Sequence, residues 1–134
     1  PLGASLTAAH PAGADEAPAS ATMQCERVVE PGRVRCSVEV RAHGGRTIAW
    51  ADVALLELPE LAQALKGRIG PADSTSRDAS SQRWAFGLVA RKTGQGEARA
   101  RVRLLLCDGA AGADASAPRC QPLTLDVRAL VQVG

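Results

Sequence analysis

Between Arg33 and Arg41 the chain alternates without a break: Val34, Cys36, Val38 and Val40 fall on one parity, and Arg33, Arg35, Ser37, Glu39 and Arg41 on the other. Patterning with period two belongs to a half-buried antiparallel strand, because successive side chains leave opposite faces of the pleat. The preceding QCERVV and the turn EPG make this segment the second arm of a hairpin. A loop from Val29 to Gly32 then sets Cys25 directly across from Cys36, within the separation a disulfide bridges. The alternation returns in WAFGLVAR, with Trp84, Phe86, Leu88 and Ala90 on the inward parity. It returns again in EARARVRLLLC, where Ala98, Ala100, Val102, Leu104 and Leu106 oppose Arg99, Arg101 and Arg103. PLTLDVRALVQV closes the series, with Leu123, Leu125, Val127, Ala129, Val131 and Val133 on one side.

The segments between these strands carry other signals. AHGGR is a turn, since paired glycines reach positive φ at little cost. RTIAWADVALLEL predicts one long bent strand, with Ile48 and Trp50 on one parity and Val53 and Leu55 on the other; a bulge near Ala51–Asp52 reconciles them. PELAQALKG predicts a short helix, with Pro59 at its first position, Leu58, Leu61 and Leu65 on one face, and Gly67 past its end. IGPADSTSRDASSQR is an exposed loop and KTGQG a turn. Residues 1–22, PLGASLTAAHPAGADEAPASAT, have no periodicity and are read as a flexible Ala/Pro/Gly-rich tether, leaving 23–134 as a single domain. Strands at regular spacing with little helix predict an all-β fold: an immunoglobulin-like antiparallel β-sandwich, disulfide-stapled, with one short helix.

Composition sharpens this picture. The 134 residues suffice for one core. That core must be aliphatic, because Trp50, Trp84 and Phe86 are the only large rings and there is no Tyr. Few rings also mean few stacking platforms for bases, and a formal net charge of +2 is too mild for a phosphate-neutralising surface, so nucleic acid is not an expected partner. No apolar run approaches the ~20 residues that span a bilayer. A chain beginning at Pro1 is read as processed, with a secretion signal or membrane anchor removed from its N-terminal side.

Four cysteines, Cys25, Cys36, Cys107 and Cys120, contain no C-x-x-C pair, and His10 and His43 are the only imidazoles. Zinc ligation is therefore disfavoured, and disulfides in an extracytoplasmic compartment (periplasmic, secreted or cell-surface) are expected. Three connectivities are possible. The order Cys36, Trp50, Cys107 resembles the Cys…Trp…Cys signature of immunoglobulin domains, in which the bridge joins the two sheets. Against it, Leu105 stands where that family places a Tyr, and alternation puts Cys107 on the arginine face. The local pairing 25–36 with 107–120 is preferred, since an outward cysteine at a strand end suits closure of a loop.

One further resemblance covers Leu104 to Val127. A strand ending in Cys107, a loop, then Cys120 followed by Pro122 and another strand is similar to a segment of the immunoglobulin-like N-terminal domain of periplasmic thiol:disulfide interchange proteins. The resemblance implies that Cys107 and Cys120 form a redox pair passing electrons to other periplasmic proteins. Independently of it, thiolate stabilisation there has only Arg103 and Arg119 as nearby cations in sequence.

Other chemistry finds little support. His43 lies in a glycine turn, His10 lies in the tether, and no G-x-S-x-G elbow is present. Asp73 and Asp78 fall in a run too poor in carboxylates for calcium, as do Asp108 and Asp114. The glycines of GQG and DGAAG do not open a helix after a strand, so no cofactor is expected. More informative is the row Arg99, Arg101 and Arg103, spaced ~7 Å apart on an exposed face, where Arg33 and Arg35 from another strand would extend it. The expected function is that of a non-catalytic binding or assembly module engaging another protein through this face and its loops. Thiol:disulfide exchange by Cys107 and Cys120, and polyanion binding by the arginines, are the alternatives.

Overall fold

Alternation becomes two packed layers in the computed structural model, which describes residues 17–108 and 119–134. The strands are β1 (Ala19–Cys25), β2 (Gly32–Ala42), β3 (Thr47–Glu57), β4 (Ala62–Ala64), β5 (Arg68–Ile69), β6 (Ser76–Arg77), β7 (Ser81–Ala90), β8 (Gly94–Cys107) and β9 (Cys120–Val133). One sheet runs β1-β2-β7-β4, with β6 also on β7; the facing sheet runs β5-β3-β8-β9. All of these pairings are antiparallel. This is the immunoglobulin arrangement: β1, β2, β7 and β4 stand for its four-stranded sheet and β3, β8 and β9 for its three-stranded one, with β5 added at the edge.

The core lies where the inward parities meet. Val34, Val38 and Val40 of β2 and Trp84 and Leu88 of β7 face Ala51 and Val53 of β3, Ala100 and Val102 of β8, and Val127 and Val131 of β9. It is aliphatic apart from Trp84, whose indole Nε1–H donates to the Gly70 carbonyl at 3.1 Å, so the buried ring leaves no unpaired donor. The turn after β2 depends on Gly44 and Gly45, both at positive φ (68° and 75°) where a side chain would be strained.

Three expectations change. β1 begins at Ala19, inside the segment read as tether: Ala19 pairs with Ala42 and is buried, so Ala19 to Thr22 belong to the domain. Their small side chains carry little periodic signal, and the pairing with β2 selects them. No helix forms over PELAQALKG. Pro59 starts a turn closed by the Ala62 amide, and Ala62–Ala64 then runs along β7 as an edge strand. The backbone of β7 would otherwise be left unpaired on that side, and Leu61 is buried while Leu65 is exposed, so the leucines do not share a face. A 3₁₀ turn at Pro71–Asp73 is the helical element among the described residues. Finally, the irregularity in β3 falls between Ile48 and Trp50 rather than at Ala51–Asp52, with a second between Leu55 and Glu57. Ile48, Ala51 and Val53 therefore face the core, and Trp50 turns outward.

Both disulfides follow the local pairing. Cys25–Cys36 joins directly opposed residues of β1 and β2, and Cys107–Cys120 joins directly opposed residues of β8 and β9. Neither crosses between sheets, and no described cysteine is free. Two such bridges are at home in an oxidising, extracytoplasmic compartment.

Candidate functional site

The outer face of the β5-β3-β8-β9 sheet is ordered by register into cross-strand rows. Going away from the Cys107–Cys120 bridge, the rows are Trp50–Leu105–Pro122, Asp52–Arg103–Thr124, Ala54–Arg101–Asp126 and Glu57–Arg99–Arg128. Arg99, Arg101 and Arg103 do stand in one column, as the alternation predicts. Each is held by an acid from a neighbouring strand: Arg99 by Glu57 at 3.0 Å, Arg101 by Asp126 at 3.1 Å, and Arg103 by Asp52.

Arg103 and Asp52 form the best-defined of these pairs. Arg103 Nε and Nη2 donate to the two carboxylate oxygens at 3.0 and 2.6 Å, a bidentate fork. Asp52 is only 3% exposed although it belongs to the outward parity. The hydrogen bond to Asp52, with its charge, holds the Arg103 guanidinium above its ordinary pKa. The guanidinium carbon also sits 5.5 Å from the centroid of the Trp50 ring, a cation–π contact.

Trp50 is 38% exposed. With Leu105, Pro122 and the flanking Arg103 and Thr124 it lines a shallow concavity of about 360 Å³. An apolar centre edged by a charge pair and a hydroxyl has the layout of a small recognition surface. Sequence reading missed it by setting Trp50 on the face of Ile48, which is buried, and by weighing Leu105 only as a departure from a signature. The available signal was parity: Leu105 continues the Arg99–Arg101–Arg103 column, and Pro122 shares the column of Thr124 and Asp126.

Arg33 and Arg35 do not join this face. They lie on β2, in the other sheet, and open on the opposite outer surface. A second shallow groove of about 470 Å³ there is lined by both arginines, Glu26, Ala85 and Gly87. The Glu26 carboxylate accepts from the Arg35 amide at 3.0 Å. The expected single arginine surface is thus two surfaces on opposite sides of the sandwich.

At the disulfide end, Cys107 is buried and Cys120 exposed. Cys120 borders a polar cleft of about 350 Å³ with Arg46, Asp108, Arg119 and Gln121, in which Arg46 Nε lies 3.6 Å from Asp108. Most of the loop expected as a binding element, 108–119, lies outside the described residues, as do His10, Asp114 and residues 1–16 of the tether.

The remaining candidates have structural roles. His43 Nε2 is 2.8 Å from the Ser20 hydroxyl on the surface. Asp73 accepts from Lys66 Nζ and the Gly70 amide at 3.0 and 2.9 Å, and Asp78 accepts from the Ser80 and Ser81 amides and the Ser81 hydroxyl. These hydrogen bonds hold both carboxyls below the ordinary aspartate range, led by Lys66 for Asp73 and by the Ser80 amide for Asp78. Among the described residues, no group of His, Cys, Asp and Glu side chains could hold a metal ion, and no helix is long and apolar enough to cross a membrane.

No family profile and no curated protein matches the chain. Among solved structures it is similar to BslA, a bacterial hydrophobin (9% identity, covering 88% of this chain and 95% of that one, TM-score 0.38). It is also similar to the PapD-like domain 7 of human CEP192 (7% identity, 87% of each chain, TM-score 0.38). A third likeness is to AggA, the major subunit of aggregative adherence fimbriae type I from Escherichia coli (8% identity, 87% and 95%, TM-score 0.31). Scores this low carry no inference about function.

Proposed function

We propose that this chain is a non-catalytic binding or assembly module of the periplasm, the cell surface or the secreted space, which engages another protein through the outer face of β3, β8 and β9. The observation that carries this reading is the apolar row Trp50–Leu105–Pro122, bordered by the Arg103–Asp52 pair and Thr124. Aromatic and aliphatic anchors inside a polar rim supply most of the free energy in protein interfaces, while the rim excludes water and fixes orientation. Arginines already neutralised by Glu57, Asp126 and Asp52 contribute orientation more than attraction for a polyanion. The test is a photo-crosslinking residue placed at Leu105, with one at Arg33 on the opposite sheet as control, in the native extracytoplasmic compartment. Adducts to a defined protein from position 105, lost on Trp50→Ala with unchanged thermal stability, are expected. Equal labelling from both positions, or none from 105, refutes the reading.

A second reading, thiol:disulfide exchange through Cys107 and Cys120, draws on one observation: Cys120 is exposed beside Arg46 and Arg119, cations that would stabilise a thiolate. Equilibration with glutathione buffers followed by thiol alkylation decides it. Reduction only below about −300 mV, as for structural bridges, retires the exchange role.

A further inference from the structure

The two outer faces of the sandwich differ in how their arginines are paired. On the face of β3, β8 and β9 each arginine of the column meets an acid. On the outer face of β2 and β7, Arg33, Arg35 and Arg83 have no carboxylate at ion-pair distance among the described residues. Register sets the floor between them: Ser37 stands across from Ala85 and Arg35 across from Gly87, and Gln24 of β1 extends the first of these rows. Small side chains on β7 leave that floor low, and long ones rise around it. Two cavities, of about 470 and 450 Å³, share Glu26, Arg35, Thr75 and Ala85, so they form one groove. From Arg33 to the level of Arg83 it runs ~20 Å along β2. Arg33, Arg35, Arg83, Ala85 and Thr75 are all exposed, so no described segment lies across it.

The acids nearby do not cancel this charge. Glu26 is pinned to the backbone, its carboxylate accepting from the Arg35 amide, and Glu39, opposite Arg83 in register, pairs with Arg41 at 3.1 Å. Set against Arg33, Arg35, Arg41 and Arg83, these two acids leave an excess of two positive charges. A guanidinium donates in a planar fork that matches a carboxylate. The rest of the lining suits hydroxyl groups, with the Gln24 amide and the hydroxyls of Ser37 and Thr75. The Thr75 hydroxyl donates to the Arg83 carbonyl at 3.1 Å, which leaves its lone pairs to accept from a ligand. Val34 and Phe86, the large apolar residues of the lining, pack in or against the core. The groove therefore lacks the exposed aromatic or aliphatic anchors that carry protein interfaces.

We propose that this groove binds a linear acidic polysaccharide, with its carboxylates on Arg33, Arg35 and Arg83 and its hydroxyls on Gln24, Ser37 and Thr75. Such polymers are polyanions of cell surfaces and their surroundings, the oxidising side of the membrane on which disulfides persist. The groove shares no residue with the Trp50 surface and lies on the opposite sheet, so the two sites stand or fall separately.

Calorimetric titration of the disulfide-intact chain with polygalacturonate at low ionic strength tests it, with neutral dextran and poly-glutamate as comparison polymers. Polygalacturonate should bind and dextran should not. Poly-glutamate, which carries carboxylates but no hydroxyls, should bind more weakly by about tenfold or more. Arg35→Gln combined with Arg83→Gln should weaken polygalacturonate by about tenfold or more, whereas Lys92→Gln, which removes a cation from the turn between β7 and β8, should change it by less than about twofold. Glu26→Gln keeps an acceptor for the Arg35 amide and removes the acid from the groove, so binding should tighten. All four positions are exposed, and a melting temperature equal to that of the parent separates lost affinity from lost fold. Absence of polygalacturonate binding, dextran binding, or poly-glutamate binding within tenfold of polygalacturonate overturns the proposal. So does indifference to the double arginine substitution, an equal loss in Lys92→Gln, or unchanged or weaker binding in Glu26→Gln.

Discussion

Gln82 of β7 is 1% exposed, yet neither its amide nitrogen nor its carbonyl oxygen has a hydrogen-bond partner among the described residues. An unpaired buried amide costs on the order of 1–3 kcal/mol, and a leucine fills a similar volume without that cost. Gln82→Leu is expected to raise stability by about 1–2 kcal/mol, read as a higher urea midpoint at unchanged slope. The Asp52–Arg103 pair predicts an asymmetry. Arg103→Ala leaves a buried carboxylate without its counter-charge, whereas Asp52→Ala leaves a guanidinium that is already 44% exposed to water. Arg103→Ala should therefore lower the melting temperature more than Asp52→Ala; equal losses would contradict this burial asymmetry. In the sequence Asp52 is an acid inside an apolar run, and parity alone could not show it covered, because the bulge before Trp50 resets the face that each later residue of β3 occupies.

At the scale of elements, strands with a fully alternating inward parity were legible: β2, β7, β8 and β9 lie where the pattern puts them. PELAQALKG was not, because its leucine spacing satisfies a helix while the open side of β7 offers backbone partners that a helix cannot use. The segment from Gly70 to Ser81 has few apolar residues and is held by Asp73 and Asp78. Both carboxyls titrate below the ordinary aspartate value of 3.8 in the folded chain, so their contribution is fully present above that value and is lost as pH falls through the lower folded values. The loop should thus stay closed at neutral pH and loosen only in acid below about pH 4. Faster exchange of the Gly70 and Ser81 amides, relative to β8 amides under the same conditions, would report it. In Asp78→Ala the Ser81 amide should already be unprotected at neutral pH.

For the whole molecule, each disulfide fastens two strands of one sheet, so adhesion between the sheets rests on the aliphatic interior around Trp84. Removing the Cys25–Cys36 bridge by a double alanine substitution should leave the two-layer fold in place. The cost, through added freedom of the unfolded chain, should be about 3 kcal/mol for a closure of this length. Equilibrium unfolding with retained strand signal by circular dichroism would check both halves of that statement; loss of the native fold would mean that the bridge also determines how β1 docks.

By itself the sequence determined the strands that alternate, the aliphatic interior and the arginine column of β8, because period-two alternation is a local property of a chain. Tertiary structure alone decided that Trp50 faces outward, that Arg33 and Arg35 lie on the far sheet, that each arginine of the column meets an acid, and which of the three possible cysteine connectivities forms. Each of these depends on which strands become neighbours and in what register, and residues distant along the chain settle that through the surface they bury together.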